Sequence, residues 1–211
     1  MSTVSEVRRL PGCVRVLFED GTYADVPTPL FQLFRVRPGD RIDPQQWRAG
    51  WEKQAYAFAL ERAAGLLSVR DATEHETAER LRRSGYPEET VARVMQDLTQ
   101  AGYVDDARFA GHFVESRSRR YGSRRIYGEL RRKGVSEEQA REALGELSPE
   151  DETESARRQA EKLLARKDAS DPDVRRKAVQ ALVRRGYGWD AAKEAVEAVL
   201  SESTQENGGE W

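Results

Sequence analysis

Three glycines set the frame for this chain. Each closes a run of the same form: Leu81-Arg82-Arg83-Ser84-Gly85-Tyr86, Leu130-Arg131-Arg132-Lys133-Gly134-Val135 and Leu182-Val183-Arg184-Arg185-Gly186-Tyr187, with glycines 49 and 52 residues apart. Six, ten and thirteen residues after them fall Val91, Met95 and Leu98, then Ala140, Leu144 and Leu147, then Ala192, Val196 and Val199. All nine are apolar, as the buried stripe of a recurring helix requires. A fixed period of this length predicts a supersecondary unit repeated in tandem.

Helices can be read around each glycine. Ala55, Tyr56, Ala59, Leu60, Ala63, Leu66 and Leu67 share one face of a helix across residues 52 to 69. Thr73 with Glu76 forms a capping box before a second helix that ends near Gly85, and Pro87 stands at the start of a third. The corresponding first helices of the other copies span residues 105 to 118 and 150 to 167. Three helices per copy give nine. A unit of about 50 residues buries little surface alone, so the repeats are expected to share faces in an elongated curved rod.

Residues 1 to 46 follow a different rule. Val14, Val16 and Phe18 alternate with Arg15, Leu17 and Glu19, Asp20-Gly21 supplies a turn, and Tyr23, Ala24 and Val26 return. With Leu33, Phe34 and Val36, the turn Arg37-Pro38-Gly39-Asp40, and Arg41-Ile42-Asp43, a small sheet of three or four strands is expected. The fold class is therefore mainly α, three tandem three-helix repeats (47–104, 105–148, 149–202) behind a β-rich segment (1–46), with a frayed polar tail from Ser201 that leaves 203–211 flexible.

Composition narrows the function. Hydrophobic residues make up 38% of the chain, too few for a thick core, and 35 basic against 37 acidic residues give no general attraction to a polyanion. No run of about 18 apolar residues suggests a membrane span, and no signal-peptide pattern opens the chain, so a cytoplasmic location is expected. Cys13 is the single cysteine and reads as a packed thiol. His75 and His112 have no partner at metal-ligand spacing, and Gly186-Tyr187-Gly188-Trp189-Asp190-Ala191, which imitates a dinucleotide loop, follows a helical run and reads as a helix-to-helix turn. Acidic pairs such as Glu88-Glu89 and Glu137-Glu138 complement helix dipoles. No enzyme, metal or cofactor is indicated.

One segment breaks the charge balance. From Ser116 to Lys133 the chain carries eight positive charges and one negative, Glu129, on either side of a turn at Tyr121-Gly122. A solvated helix face is the simple reading. Arginine's preference for phosphate and carboxylate forks, and the convergence of charge from two helices, favour a binding patch for a nucleic-acid backbone or an acidic protein surface. Ser123, near a helix start, could add backbone donors to an anion. Tyr121 and Tyr127 could stack on bases, although Tyr127 shares a face with Ile126 and Leu130 and fits the core better.

The same region resembles a known family. Gly102-Tyr103-Val104-Asp105-Asp106-Ala107-Arg108-Phe109-Ala110, then Phe113-Val114, Ser116-Arg117, Arg119-Arg120-Tyr121-Gly122, Arg124-Arg125-Ile126, Glu129-Leu130 and Lys133-Gly134-Val135, is similar to the central signature of the RecX regulatory proteins. Ala55-Tyr56-Ala57-Phe58-Ala59-Leu60 and the Gly85 run resemble that family's first repeat. The third repeat matches only by its glycine and apolar spacing, and from Pro149 onward it carries eleven basic and fourteen acidic residues. The resemblance implies a protein that binds the RecA recombinase filament on single-stranded DNA and mostly restrains it. A stand-alone DNA-binding protein and a helical adaptor for another acidic partner are the alternatives, and a monomer is the default. Expected contact residues are Arg117, Arg119, Arg120, Arg124 and Arg125, then Arg131, Arg132 and Lys133, with Arg82 and Arg83 at the equivalent place in the first repeat. Phe109 and Phe113 are expected in the core, and Asp105 or Asp106 as a helix cap.

Overall fold

The computed structural model describes residues 1–165, 167 and 171–207, and the chain divides into two compact units between Asp105 and Asp106. The first unit opens with strands β1 (Ser2–Arg9), β2 (Cys13–Phe18) and β3 (Tyr23–Pro27), a short helix α1 (Thr28–Leu33) and strand β4 (Arg41–Ile42). They form a four-stranded antiparallel sheet in the order β3-β2-β1-β4. The expected hairpin is β2 and β3, turning at Gly21, whose φ is +82°. Leu33 to Val36 do not join the sheet: α1 ends at Leu33 and the chain runs on as a loop.

Helix α2 (Pro44–Leu67) begins eight residues before the expected start, with Asp43 accepting from the backbone N–H of Gln45 and Gln46. Pro44 at the first turn and Gly50 inside the helix disguise this turn-rich stretch, but its aromatics need it helical. Trp47 meets Phe18 and Trp51 edge-on, both at 6.5 Å, and its indole N–H donates to the Phe34 carbonyl at 3.0 Å. The first turns of α2 thus cover the inner face of the sheet, where Val4, Val16, Phe18 and Val36 are buried. Cys13 is buried at the start of the interior strand β2, and burial, with a smaller contribution from Asp25, pushes its thiol pKa up.

Helices α3 (Glu74–Arg83) and α4 (Glu88–Gln100) complete the first repeat. Thr73 caps α3 by accepting from the Glu76 N–H. Val91, Val94, Met95 and Leu98 of α4 bury the predicted stripe against Ala55, Ala59 and Ala63 of α2.

The second unit repeats this pattern twice. Helices α5 (Asp106–Ser118), α6 (Ser123–Arg132) and α7 (Glu137–Gly145) enclose one core around Phe109, Ile126, Leu130 and Ala140. Helices α8 (Pro149–Leu164), α9 (Pro172–Arg184) and α10 (Trp189–Asn207) enclose another around Ala160, Leu182, Tyr187 and Val196. The expected first helices agree within three residues. Helix α10 runs through Gln205 and Asn207, where a frayed tail was expected, and Gly208 and Gly209 lie outside the described residues. Trp189, at the start of α10, is 55% exposed.

The repeat glycines behave alike: Gly85, Gly134 and Gly186 have φ of +83°, +89° and +96°, a conformation that costs an L side chain about 1 kcal/mol or more. The leucines four residues before them, Leu81, Leu130 and Leu182, are all fully buried. Replacing Leu81 or Leu182 by Ala should cost about 2–5 kcal/mol of stability, the range for deleting a buried leucine side chain. Replacing exposed Leu33 should change stability by less than about 0.5 kcal/mol. Urea unfolding of the three variants checks both statements.

Candidate functional site

The basic segment covers the end of α5, the turn 119–122 and all of α6. Its backbone is held from the third repeat. The Gly122 N–H donates to the Arg185 carbonyl at 3.0 Å and the Arg124 N–H to the Gly186 carbonyl at 3.2 Å. A Cβ on Gly122 would fall inside the backbone of Gly186 and Tyr187, closer than real Cβ atoms come, and one on Gly186 would strike Arg125 and lie 2.9 Å from the Gly122 carbonyl oxygen. Gly122 has an ordinary φ of −76°, so its glycine serves space alone.

Helix α8 clamps the same turn from one face, through Glu152, Ser155 and Gln159 at i, i+3 and i+7. Glu152 Oε1 accepts from both the N–H and the hydroxyl of Ser123, each at 3.0 Å. Ser155 Oγ donates to the Ser118 carbonyl at 2.6 Å, and Gln159 Nε2 to the Arg119 carbonyl at 3.2 Å. Since the one Ser155 proton is used, the buried Tyr187 hydroxyl donates to Ser155 Oγ across 2.7 Å, and burial raises the pKa of that phenol so that it keeps its proton.

Two expectations change here. The amino end of α6, expected to receive an anion, already holds one in the Glu152 carboxylate. Tyr121 is not open for base stacking, because the guanidinium groups of Arg125 and Arg117 lie 4.0 and 5.8 Å from its ring centre and the ring packs on the second-repeat core. Tyr127 packs on that core as expected, together with Phe109 and Phe113, whose rings stack at 5.8 Å.

The ten expected contact residues separate into four groups. Arg119, Arg120 and Arg124 are exposed and have no carboxylate partner among the described residues. Arg117 and Arg125 flank Tyr121, and Arg125 also pairs with Glu129 at 2.9 Å. Toward the end of α6 the charges are engaged locally: exposed Arg131 donates to the Val135 carbonyl just beyond the helix at 2.5 Å, exposed Arg132 to that of Gly128 at 3.2 Å, and Lys133 lies 5.5 Å from the Phe109 ring centre on α5. These three complement the carboxyl end of the helix dipole. In the first repeat Arg82 is forked by Glu88 at 2.8 and 2.7 Å and also meets Glu79, while Arg83 lies 3.7 Å from Glu79. Arg82 holds the Glu88 carboxyl below its ordinary pKa. Arg119, Arg120, Arg124, Arg131 and Arg132 are therefore exposed without a carboxylate partner among the described residues, and the first three lie on or directly beside the turn that the third repeat holds.

Glu152, Ser155, Gln159 and Tyr187 escape sequence reasoning as site residues. Their one signal is position: Ser155 and Gln159 are polar yet sit beside Ala156 and Ala160 on the buried face of α8. Arg119 also borders a groove of about 760 Å³ whose rim mixes Arg108 and Arg158 with Glu115, Glu146 and Asp151. Among the described residues no cluster of three His, Cys, Asp or Glu is placed to hold a metal, and no helix is long and apolar enough to cross a membrane.

Helix triplets with a left-handed glycine between the second and third helices, repeated in tandem behind a small sheet, define a three-helix-repeat protein. Models of the first, second and third three-helix domains of RecX match residues 59–98, 105–144 and 150–196. Regulatory protein RecX of Mycobacteroides abscessus is 32% identical over 205 residues, covering 95% of this chain and 96% of the relative. That of Amycolatopsis mediterranei is 37% identical over 161 residues, 75% of this chain and 90% of the relative. The chain belongs to the RecX family of regulatory proteins. Its fold matches a crystal structure of a regulatory protein RecX with a TM-score of 0.62 at 24% identity, over 95% of this chain and all of that one. It also matches RecX from Lactobacillus salivarius with a TM-score of 0.64 at 20% identity, over 70% and 97%.

The glycine joint gives a sharp expectation. Gly122→Ala, which is harmless to the backbone conformation, should part the second and third repeats and speed hydrogen exchange in α8 and α9. Glu152→Ala should cost about 1–2 kcal/mol, the value of a charged cap, without opening the joint. Hydrogen exchange and urea unfolding distinguish the two.

Proposed function

We propose that this protein binds the RecA recombinase filament on single-stranded DNA and modulates it, mostly by inhibiting its recombination, ATPase and co-protease activities. It acts by occupying a surface, without chemistry of its own, and so belongs to the cytoplasmic control of DNA recombination, repair and the SOS response. Family membership supports the regulatory role. The observation that carries the contact assignment is the trio Arg119, Arg120 and Arg124, exposed, unpaired with carboxylates and mounted on a turn and the first turn of α6, whose backbones are hydrogen-bonded to α8 and to the Gly186 turn. A preorganised turn loses little conformational freedom when it meets phosphates or carboxylates, so more of the interaction energy appears as affinity.

Overall charge near neutrality favours a local contact over coating of DNA. If the trio meets three phosphates of a single strand, log affinity should fall with log salt at a slope of about −2. The paired arginines 82 and 83, and residues 131 to 133, which engage carbonyls and a ring at the far end of α6, contribute less.

The test is DNA-stimulated ATP hydrolysis and strand exchange by the recombinase, with this protein titrated in. Wild type should lower both, and the variant carrying Arg119→Glu, Arg120→Glu and Arg124→Glu should leave them close to the uninhibited rates while unfolding in urea like wild type. Arg125 is left intact because it packs against Gly186. A wild type that alters neither activity at saturation removes the filament reading, and equal inhibition by the variant removes the trio from the contact. Salt-sensitive binding to naked DNA with no effect on the recombinase would favour a stand-alone DNA-binding protein.

A further inference from the structure

One edge of the amino-terminal sheet is only partly paired. Strand β4 pairs with β1 only at Ser2 and Thr3, and Val4 is then bonded by the Gly39 N–H and the Asp40 carbonyl. From Ser5 to Leu10 no strand pairs with the outer edge of β1 among the described residues. In an antiparallel ladder, residues alternate between exchanging bonds with the partner strand and turning them outward. Leu10 donates to the Cys13 carbonyl, which places Leu10 and then Arg8, opposite Arg15, in the bonded set. Val7 and Arg9, opposite Val16 and Val14, therefore turn their N–H and C=O groups outward. Two donors and two acceptors stand at strand spacing with nothing in the sheet to receive them.

A groove of about 580 Å³ borders this edge, and its apolar lining includes Val7, Leu10, Phe31, Val36 and Pro38. Three arginines line it, Arg9, Arg35 and Arg37, all exposed and none with a carboxylate partner among the described residues. Two other arginines of the sheet are paired: Arg8 with Glu6 at 3.1 Å and Arg15 with Asp25 at 2.7 Å. The groove thus combines an open strand edge, an apolar floor and uncompensated positive charge.

We propose that this edge is the docking site of an extended acidic peptide segment of a partner protein, added to the sheet beside β1. Its main chain bonds to Val7 and Arg9, alternate side chains enter the groove, and its carboxylates meet Arg9, Arg35 and Arg37. A nucleic-acid backbone fits less well, because the edge presents carbonyl oxygens in alternation with its donors and those repel phosphates. A second copy of the chain would set Arg8 and Arg9 against the same residues of its twin, and like charges directly opposite are unfavourable. The site is separate from the arginine turn of the second repeat and does not depend on the reading given to it.

The test uses the full chain and a short fluorescein-labelled peptide alternating glutamate and valine, followed by fluorescence anisotropy. Two control peptides carry glutamine for glutamate, or N-methyl groups on alternate amides. The glutamate peptide should bind, the glutamine peptide about tenfold or more weakly, and the N-methylated peptide not measurably, since it lacks the edge donors. Binding should slow hydrogen exchange at the Val7 and Arg9 amides, weaken about tenfold or more in Arg35→Glu/Arg37→Glu, and persist in the Arg119, Arg120 and Arg124 variant. Absence of binding, equal binding of the glutamine or N-methylated peptide, unchanged exchange at both amides, or displacement of the peptide by oligo-dT would each overturn the proposal. So would a concentration-dependent dimer that masks the two amides without peptide.

Discussion

Two backbones touch at Gly122 and Gly186, and the second unit is organised around that contact. Helix pairs in repeat proteins normally meet through side chains, which leaves some freedom of slide and tilt. Here the Gly122 N–H reaches the Arg185 carbonyl and the Arg124 N–H reaches the Gly186 carbonyl, and neither glycine has room for a methyl group. Once the main chains are in register, Glu152, Ser155 and Gln159 of α8 arrive opposite the turn they clamp. The position of each arginine on that turn follows from a contact between two repeats, not from either alone.

The first repeat solves the same problem with a different neighbour. Its Gly85 turn is covered by the sheet: a Cβ there would meet Cys13 Cβ at 3.0 Å and the Pro27 nitrogen at 3.3 Å. The sheet stands to the first glycine turn as the second repeat stands to the third, sealing a left-handed corner with main chain. Charge then diverges between copies. Arg82 is neutralised by Glu88 and Glu79, whereas the second repeat leaves Arg119, Arg120 and Arg124 facing solvent.

Much of the helical part was legible because glycine position and apolar spacing report the same geometry. Val91, Met95 and Leu98 are buried where a period of helical turns puts them, and all three repeat glycines take positive φ. The sheet was half legible. Strand β1 hides because a bulge between Val4 and Glu6 brings Val4 and Val7 to one face at a spacing of three, which erases the alternation that marks a strand. The start of α2 hides behind Pro44 and Gly50, and only tertiary contacts of Trp47 and Trp51 explain why it is helical. At the candidate site the charges were legible but their availability was not. That depended on partners distant in sequence, such as Glu152 for Ser123, or on close neighbours whose geometry decides the matter, such as Glu88 for Arg82.

Among the described residues the tryptophans divide unequally between the two units. Trp51 is fully buried and Trp47 is packed between Phe18 and Trp51 in the first unit, while Trp189 of the second already stands more than half in water. Unfolding the first unit transfers two indoles from an apolar, aromatic setting to solvent; unfolding the second changes the surroundings of Trp189 far less. The emission of Trp47 and Trp51 is therefore an optical probe of the sheet and first repeat, and Trp189 reports far more weakly on the arginine-bearing half.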